Sequence, residues 1–206
     1  MNPQQQVLEI IVKNWLDSDL VILDTETTGL GPRAEIIEIA AIDKNGNILL
    51  NSLVKPNRPE PKKITEINNN TNDMLHDAPE WGSVYVDLMD LLSKHRKFIA
   101  WNAKFDARMI TQSSSAAYLY DEASASYMVD VLNGIRDAAV DAQHIYSLWF
   151  AQNATEGYRR QRLVHAAEQQ NVTVDGTPHR ALADCLTTLA VLRAMVGSKD
   201  EVSNEE

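Results

Sequence analysis

The run Leu20-Val21-Ile22-Leu23-Asp24-Thr25-Glu26, with two further strand-like runs close behind it, restricts the fold of this chain more than any other feature. It is apolar on both alternating faces until Asp24, as a strand buried in the middle of a sheet must be. Gly29, Gly31 and Pro32 break it. Glu35 to Asp43 (EIIEIAAID) reads as a second strand, Lys44-Asn45-Gly46-Asn47 carries the Asn-Gly hairpin signal, and Ile48 to Val54 reads as the returning third strand. The sheet therefore opens with an antiparallel meander, which excludes a purely parallel α/β sheet.

Helical periodicity flanks and follows the meander. Gln4 to Asp17 spaces Leu8, Ile11, Val12 and Trp15 as an amphipathic helix. Residues 55–78 are rich in Pro and Asn and predict a long connection with a short helix. Pro79 to His95 sets Trp81, Val84, Tyr85, Leu88, Leu91 and Leu92 on one stripe, with Pro79 at the helix start. Lys97 to Trp101 predicts a fourth strand, and Phe105 to Gln112 begins a helix. Tyr127 to Val131 reads as a short strand or strand-to-helix junction, and residues 141–170 as helical. Ala181 to Met195 forms the last helix, with Leu182, Leu186, Leu189 and Met195 inward. Strands alternating with helices after a meander define an α/β fold with a mixed central sheet flanked by helices.

The 206 residues suit one domain with an N-terminal helix over 1–18, a main domain over 19–197 and an acidic, frayed tail over 198–206. One cysteine, Cys185, excludes a disulfide scaffold and multi-cysteine metal sites. The polar start and the short apolar runs predict no signal peptide and no membrane span, hence a cytoplasmic protein. The net charge of −10, from 19 Lys+Arg against 29 Asp+Glu, weighs against nucleic-acid binding by phosphate neutralisation. That objection falls if acidic groups gather divalent cations.

Three segments place acids where such a site belongs. Asp24 and Glu26 project to one face from the end of a central strand, where open α/β sheets hold their ligands. Paired carboxylates in a crevice repel, and hard oxygen donors without cysteine favour Mg²⁺ or Mn²⁺. A chance surface pair is the competing reading. Thr27, Thr28 and Gly29 follow, two hydroxyl donors and a residue that lets backbone approach a ligand. Ala100-Trp101-Asn102-Ala103-Lys104-Phe105-Asp106 repeats the grammar of strand, turn and helix-opening acid, although Asp106 also suits a first helical turn on its own account. His179-Arg180-Ala181-Leu182-Ala183-Asp184 sets a histidine on the loop before a helix and an acid within it. A histidine beside carboxylates suits a general base near neutral pH; a surface histidine and a polar-face Asp are the plainer alternative.

Taken in order, Asp24-x-Glu26, Asn102-x-x-Phe105-Asp106 and His179-x-x-x-x-Asp184 resemble the DEDDh group of 3′–5′ exonucleases, the DnaQ-like family with a ribonuclease-H-like fold. The DTETTG form is most similar to the epsilon-type proofreading subunit of bacterial replicative DNA polymerases, over about Leu20 to Met195. The resemblance implies two Mg²⁺ or Mn²⁺ ions held by Asp24, Glu26, Asp106 and Asp184, with His179 deprotonating the attacking water. It implies release of nucleoside 5′-monophosphates from the 3′ end of single-stranded DNA or RNA, and a DNA polymerase as a partner. Thr27, Thr28, Gly29, Leu30, Asn68, Asn102 and Phe105 are its expected substrate contacts. Where epsilon-type chains often have Ile-His-Gly-Ile-Thr, this one has Ile67-Asn68-Asn69-Asn70-Thr71, which bears on substrate preference and leaves the acids untouched.

Two other readings compete. A haloacid-dehalogenase-type phosphatase needs a second Asp where Glu26 stands. A non-catalytic module, an exonuclease fold kept for docking to a polymerase or another protein, sits poorly with an intact set of Asp24, Glu26, Asp106, His179 and Asp184.

Overall fold

The structure is a computed structural model and describes residues 2–95, 97–118, 122–151, 157–173 and 176–197, with backbone alone for 115–118 and 122–128. The expected tail at 198–206 lies outside the described residues.

The meander forms as its sequence dictates. β1 (Val21–Thr27) pairs antiparallel with β2 (Ile36–Asp43), and β2 with β3 (Ile48–Leu53). The hairpin between β2 and β3 is held by Asp43, whose Oδ1 accepts the Asn45 and Asn47 N–H groups at 2.8 Å each, while Gly46 supplies a φ of +91°. β4 (Phe98–Ala100) then joins the other side of β1 in parallel, and β5 (Ala139–Asp141) joins β4 in parallel. The sheet order is β3-β2-β1-β4-β5, a mixed sheet with β1 at its centre.

Both sheet faces are covered, which is why β1 and β2 are apolar on alternate and intervening positions alike. Val21 and Leu23 face a core built with α4 (Trp81–Lys94), α5 (Ala103–Tyr118) and α6 (Glu122–Ala138). Leu20 and Ile22 face the opposite core, built with α1 (Pro3–Asp17), α7 (Ala142–Ala151), α8 (Leu163–Gln169) and α9 (Ala181–Met195). Helix α1 starts on a capping box between Asn2 and Gln5 with Pro3 in the first turn, and buries Val12 in that second core.

Three expectations are corrected. Tyr127–Val131 is not a strand but lies within α6, which continues and buries Leu132 and Ile135 at helical spacing. The strand falls later, at Ala139–Asp141, and is only three residues long. Residues 141–170 are not one helical stretch: 157–162 run without helix between α7 and α8, because the Trp101 indole N–H and the Gln143 amide both donate to the Gln161 carbonyl, at 3.0 and 2.8 Å. Helix α4 starts at Trp81 and not Pro79, whose carbonyl instead accepts the Lys55 N–H at 2.9 Å. In α9, as expected, Leu189 and Met195 are buried and Leu182 and Leu186 pack half-buried against the second core; Ala181, Cys185, Thr188, Val191 and Leu192 are buried with them. The small residues let this helix lie close over β1 and β2.

The long connection at 55–78 holds two short helices, α2 (Lys62–Asn68) and α3 (Asn72–His76).

Candidate active site

The sheet creates the site by stopping short. β4 pairs with β1 only at Val21 and Ile22, so the second half of β1 is paired on one side alone, by β2. Past Ala100 the chain turns at Trp101 and Asn102 and enters α5, which steps into the opening. Alternation then divides the residues of β1. Asp24 and Glu26 share the face of Ile22, toward α9, while Thr25 shares the face of Leu23, toward α5.

Each neighbouring helix delivers an acid from its first turn, where the helix dipole favours a negative charge. Asp106 of α5, 3% exposed, accepts the Thr25 hydroxyl at 2.8 Å and also the Thr25 backbone N–H. It thereby covers part of the strand edge that β4 leaves open. Asp184 of α9 comes from the other side. His179 lies on the loop just ahead of α9, and its backbone N–H bonds to the Asp184 carboxylate. One ligand atom from each of Glu26, His179 and Asp184 lies within 4.8 Å of the others.

Asp24 and Asp106 complete the charge cluster. Burial raises the Asp24 carboxyl well above the usual range, and Asp106, Asp184, Glu26 and Glu38 push it further in that order. Burial and the charges of Asp184, Glu38 and Asp106 push Glu26 up to about 8, against the pull of Arg180. Burial takes Asp106 up to about 7 despite the hydrogen bonds from Thr25. Asp184 is raised by burial, with His179 opposing. Such carboxylates either hold protons or share cations. Hard oxygen donors with one imidazole fit Mg²⁺ or Mn²⁺.

Glu38 was not anticipated. It faces the same side as Glu26, directly opposite it in the register of β1 and β2, and is 3% exposed. Arg180 Nε donates to both its oxygens, at 2.9 and 3.2 Å, and Asn70 Nδ2 donates to Oε2 at 2.9 Å. A lone charge in the otherwise apolar run Ile36-Ile37-Glu38-Ile39-Ala40 was the available signal, since a carboxylate in a buried strand must have a partner.

The expected substrate contacts divide. Thr27 and Thr28 shape the turn after β1: the Thr27 hydroxyl donates to the Gly29 carbonyl at 2.8 Å, and the Thr28 hydroxyl accepts the Glu35 N–H at 3.0 Å. Gly29 takes a φ of +153°, which a side chain would strain even though the space around it is open. Leu30 stands out into solvent, 78% exposed. Across from it, Phe105 is half-buried with the Arg108 guanidinium 5.2 Å from its ring centre, and Arg108 also donates to the Leu30 carbonyl at 3.4 Å. Asn102 is exposed beside Arg160. Asn68 is different. It is 1% exposed, donates to Glu60 Oε1 at 2.9 Å and accepts the Asn70 N–H at 2.9 Å. Its amide is engaged inside the protein and does not face the cleft as a free donor.

A mixed sheet whose central strand ends in acids, met by acids from two helices and a histidine, is a ribonuclease-H-like nuclease fold. Among solved structures it is similar to exonuclease I, with a TM-score of 0.68 at 16% identity over 89% of this chain and 41% of that one. The chain belongs to the RNase_T exonuclease family, whose model matches residues 21–192, and within it to the DEDDh, DnaQ-like type. It is a hydrolytic exonuclease. It is 36% identical over 184 residues to an uncharacterized exonuclease, CP81, of Escherichia phage 186, covering 89% of this chain and 91% of that protein. It is 33% identical over 101 residues to DNA polymerase III subunit epsilon of Rickettsia conorii, covering 46% of this chain and 44% of that subunit. Among the described residues no helix is long and apolar enough to cross a membrane.

Proposed function

We propose that the chain shortens single-stranded DNA from its 3′ end, releasing nucleoside 5′-monophosphates, through a main domain spanning 19–197. The observation that carries this reading is the convergence of Glu26, His179 and Asp184 within 4.8 Å beside the mutually repelling Asp24 and Asp106. Asp24, Glu26, Asp106 and Asp184 would hold two divalent ions, Mg²⁺ or Mn²⁺. When bound, these supply charge neutralisation at the scissile phosphate and a water of lowered pKa. His179, exposed at the mouth of the cleft, accepts the proton of the attacking water. Asp184, bonded to the His179 backbone, keeps the imidazole loop at the cup. Phe105, braced by Arg108, and the projecting Leu30 form an apolar rim that suits bases of any sequence. The acidic surface is consistent with this chemistry because the cations are borrowed rather than built in. The likeness to epsilon subunits supports DNA as the substrate and a DNA polymerase as a partner.

The test is digestion of 5′-labelled single-stranded DNA, duplex DNA and RNA, side by side, with Mg²⁺ or Mn²⁺. A ladder shortened from the 3′ end, fastest on single-stranded DNA, is expected. Internal cuts alone, or no cutting with either ion, overturns the reading. His179→Ala should lose both rate and the rise of rate with pH that an imidazole base imposes.

A further inference from the structure

We propose that Arg180 is a positioning residue: its guanidinium, clamped on the buried Glu38 carboxylate, holds the adjacent His179 at the acid cup. This rests on His179 being the base.

Two observations converge. The first is backbone conformation. His179 has a φ of +62°, a left-handed conformation uncommon in residues with a side chain, so the loop needs holding. Arg180, the next residue, caps α9 with extended backbone and no capping side-chain bond. The Asp184 carboxylate holds the His179 N–H from the helix side, and the Arg180 side chain supplies a second hold from the sheet side. The second is the anchor. Glu38 is rigid within β2, opposite Glu26, and receives Arg180 Nε through both oxygens. Its remaining valence goes to Asn70, whose own N–H bonds to the Asn68 amide oxygen. Asn68 in turn donates to Glu60, which also accepts the Thr65 hydroxyl at 2.7 Å. A buried polar chain thus runs from α2, through Asn68 and Asn70, to Glu38 and Arg180, and ends at the histidine. The Asn68-Asn69-Asn70 segment, set apart in the sequence, is the far support of the histidine loop.

A buried ion pair adds little stability over an apolar pair of similar volume. What it does supply is direction: a guanidinium Nε aimed at both oxygens of one carboxylate tolerates few geometries. Arg180 Nε is taken up by Glu38, and through that bond the residue places the neighbouring imidazole.

The test compares Arg180→Gln, Arg180→Lys, Glu38→Gln, the paired variant Glu38→Met with Arg180→Met, and His179→Ala, all assayed on a labelled single-stranded oligodeoxynucleotide with Mg²⁺. Displacing a catalytic group by about 1 Å can cost about 100-fold in rate. Arg180→Gln and Glu38→Gln should each lower kcat by about 10- to 100-fold with KM within about twofold. Arg180→Lys should recover part of the loss, and the two Gln changes together should be no worse than the more severe one alone. The Met–Met pair keeps the interior filled; its thermal melt should match the wild type while kcat stays low, which separates positioning from folding. A folded Met–Met pair with wild-type kcat overturns the proposal. So does Glu38→Gln with unchanged kcat, or an Arg180→Gln defect confined to KM, which would make Arg180 a substrate contact. His179→Ala tells the two readings apart. If it is slow while the Met–Met pair is fast, only the clamp fails; if it is as fast as wild type, the base assignment itself has failed.

Discussion

At the scale of single residues, the site is a group of carboxylates that the folded chain holds at a cost. Asp24 is the extreme member, raised by burial and by four other acids. Asp24→Asn removes one charge from that group and keeps the shape. In chelator at mildly alkaline pH, the variant should melt at a higher temperature than the wild type, although it is inactive. Wild-type protein should gain melting temperature on adding Mn²⁺, because an ion that binds only the native state stabilises it, and Asp24→Asn should not. An equal Mn²⁺ response in both would remove Asp24 from the ligand set. Asp24 and Glu26 were legible because an apolar strand that ends in acids is unusual in a core. His179 and Asp184 were legible from one spacing that puts a loop residue and a first-turn residue together. Glu38 was not, because it sits inside an apolar run and its partner is 142 residues away in sequence.

At the scale of elements, α9 and the loop that feeds it are the sensitive part. Gly176 has a φ of +138°, and a methyl group there would meet the Ala183 Cβ at 2.9 Å, in the first turn of the helix. Gly176→Ala should therefore destabilise the protein by about 1–3 kcal/mol through backbone strain, and should lower kcat because His179 is three residues on. Urea melting and the exonuclease assay check both; a variant unchanged in each would show that the loop yields freely. The meander and the flanking helices could be read from periodicity, since β1, β2 and α4 are long enough to show it. β5 could not. Three residues carry no period, and Ala139-Val140-Asp141 becomes a strand only because β4 offers it an edge. The α6 error has the same source: Tyr127-Met128-Val129-Asp130-Val131 has strand-like side chains, and the tertiary burial of Leu132 and Ile135 decides for helix.

At the scale of the whole molecule, the same charges set a pH dependence. Glu26 is raised from 4.5 to about 8 and Asp106 from 3.8 to about 7. Acids with raised values bind protons more tightly in the folded chain than in the unfolded one. Their favourable contribution is complete below the unfolded values and is lost as pH rises through the folded ones. Without divalent metal, the melting temperature should fall as pH rises from about 5 to about 8 and level off above that. Glu26→Gln with Asp106→Asn should flatten that fall, and Mn²⁺ should reverse it. A metal-free melting temperature that climbs across this interval would contradict the charge arrangement.

The cleft exists because β4 gives up its pairing with β1 after Ile22. The floor of the cleft is thus an omission in the sheet, made of backbone that the rest of the molecule already needs, whereas its margin is made of the turn at 28–35 and the side chains of Phe105 and Arg108 beside it. A lineage can exchange its rim to suit one kind of nucleic-acid end or another and inherit the floor unaltered, so diversification in chains of this shape should accumulate at the margins of the gap and spare its depth.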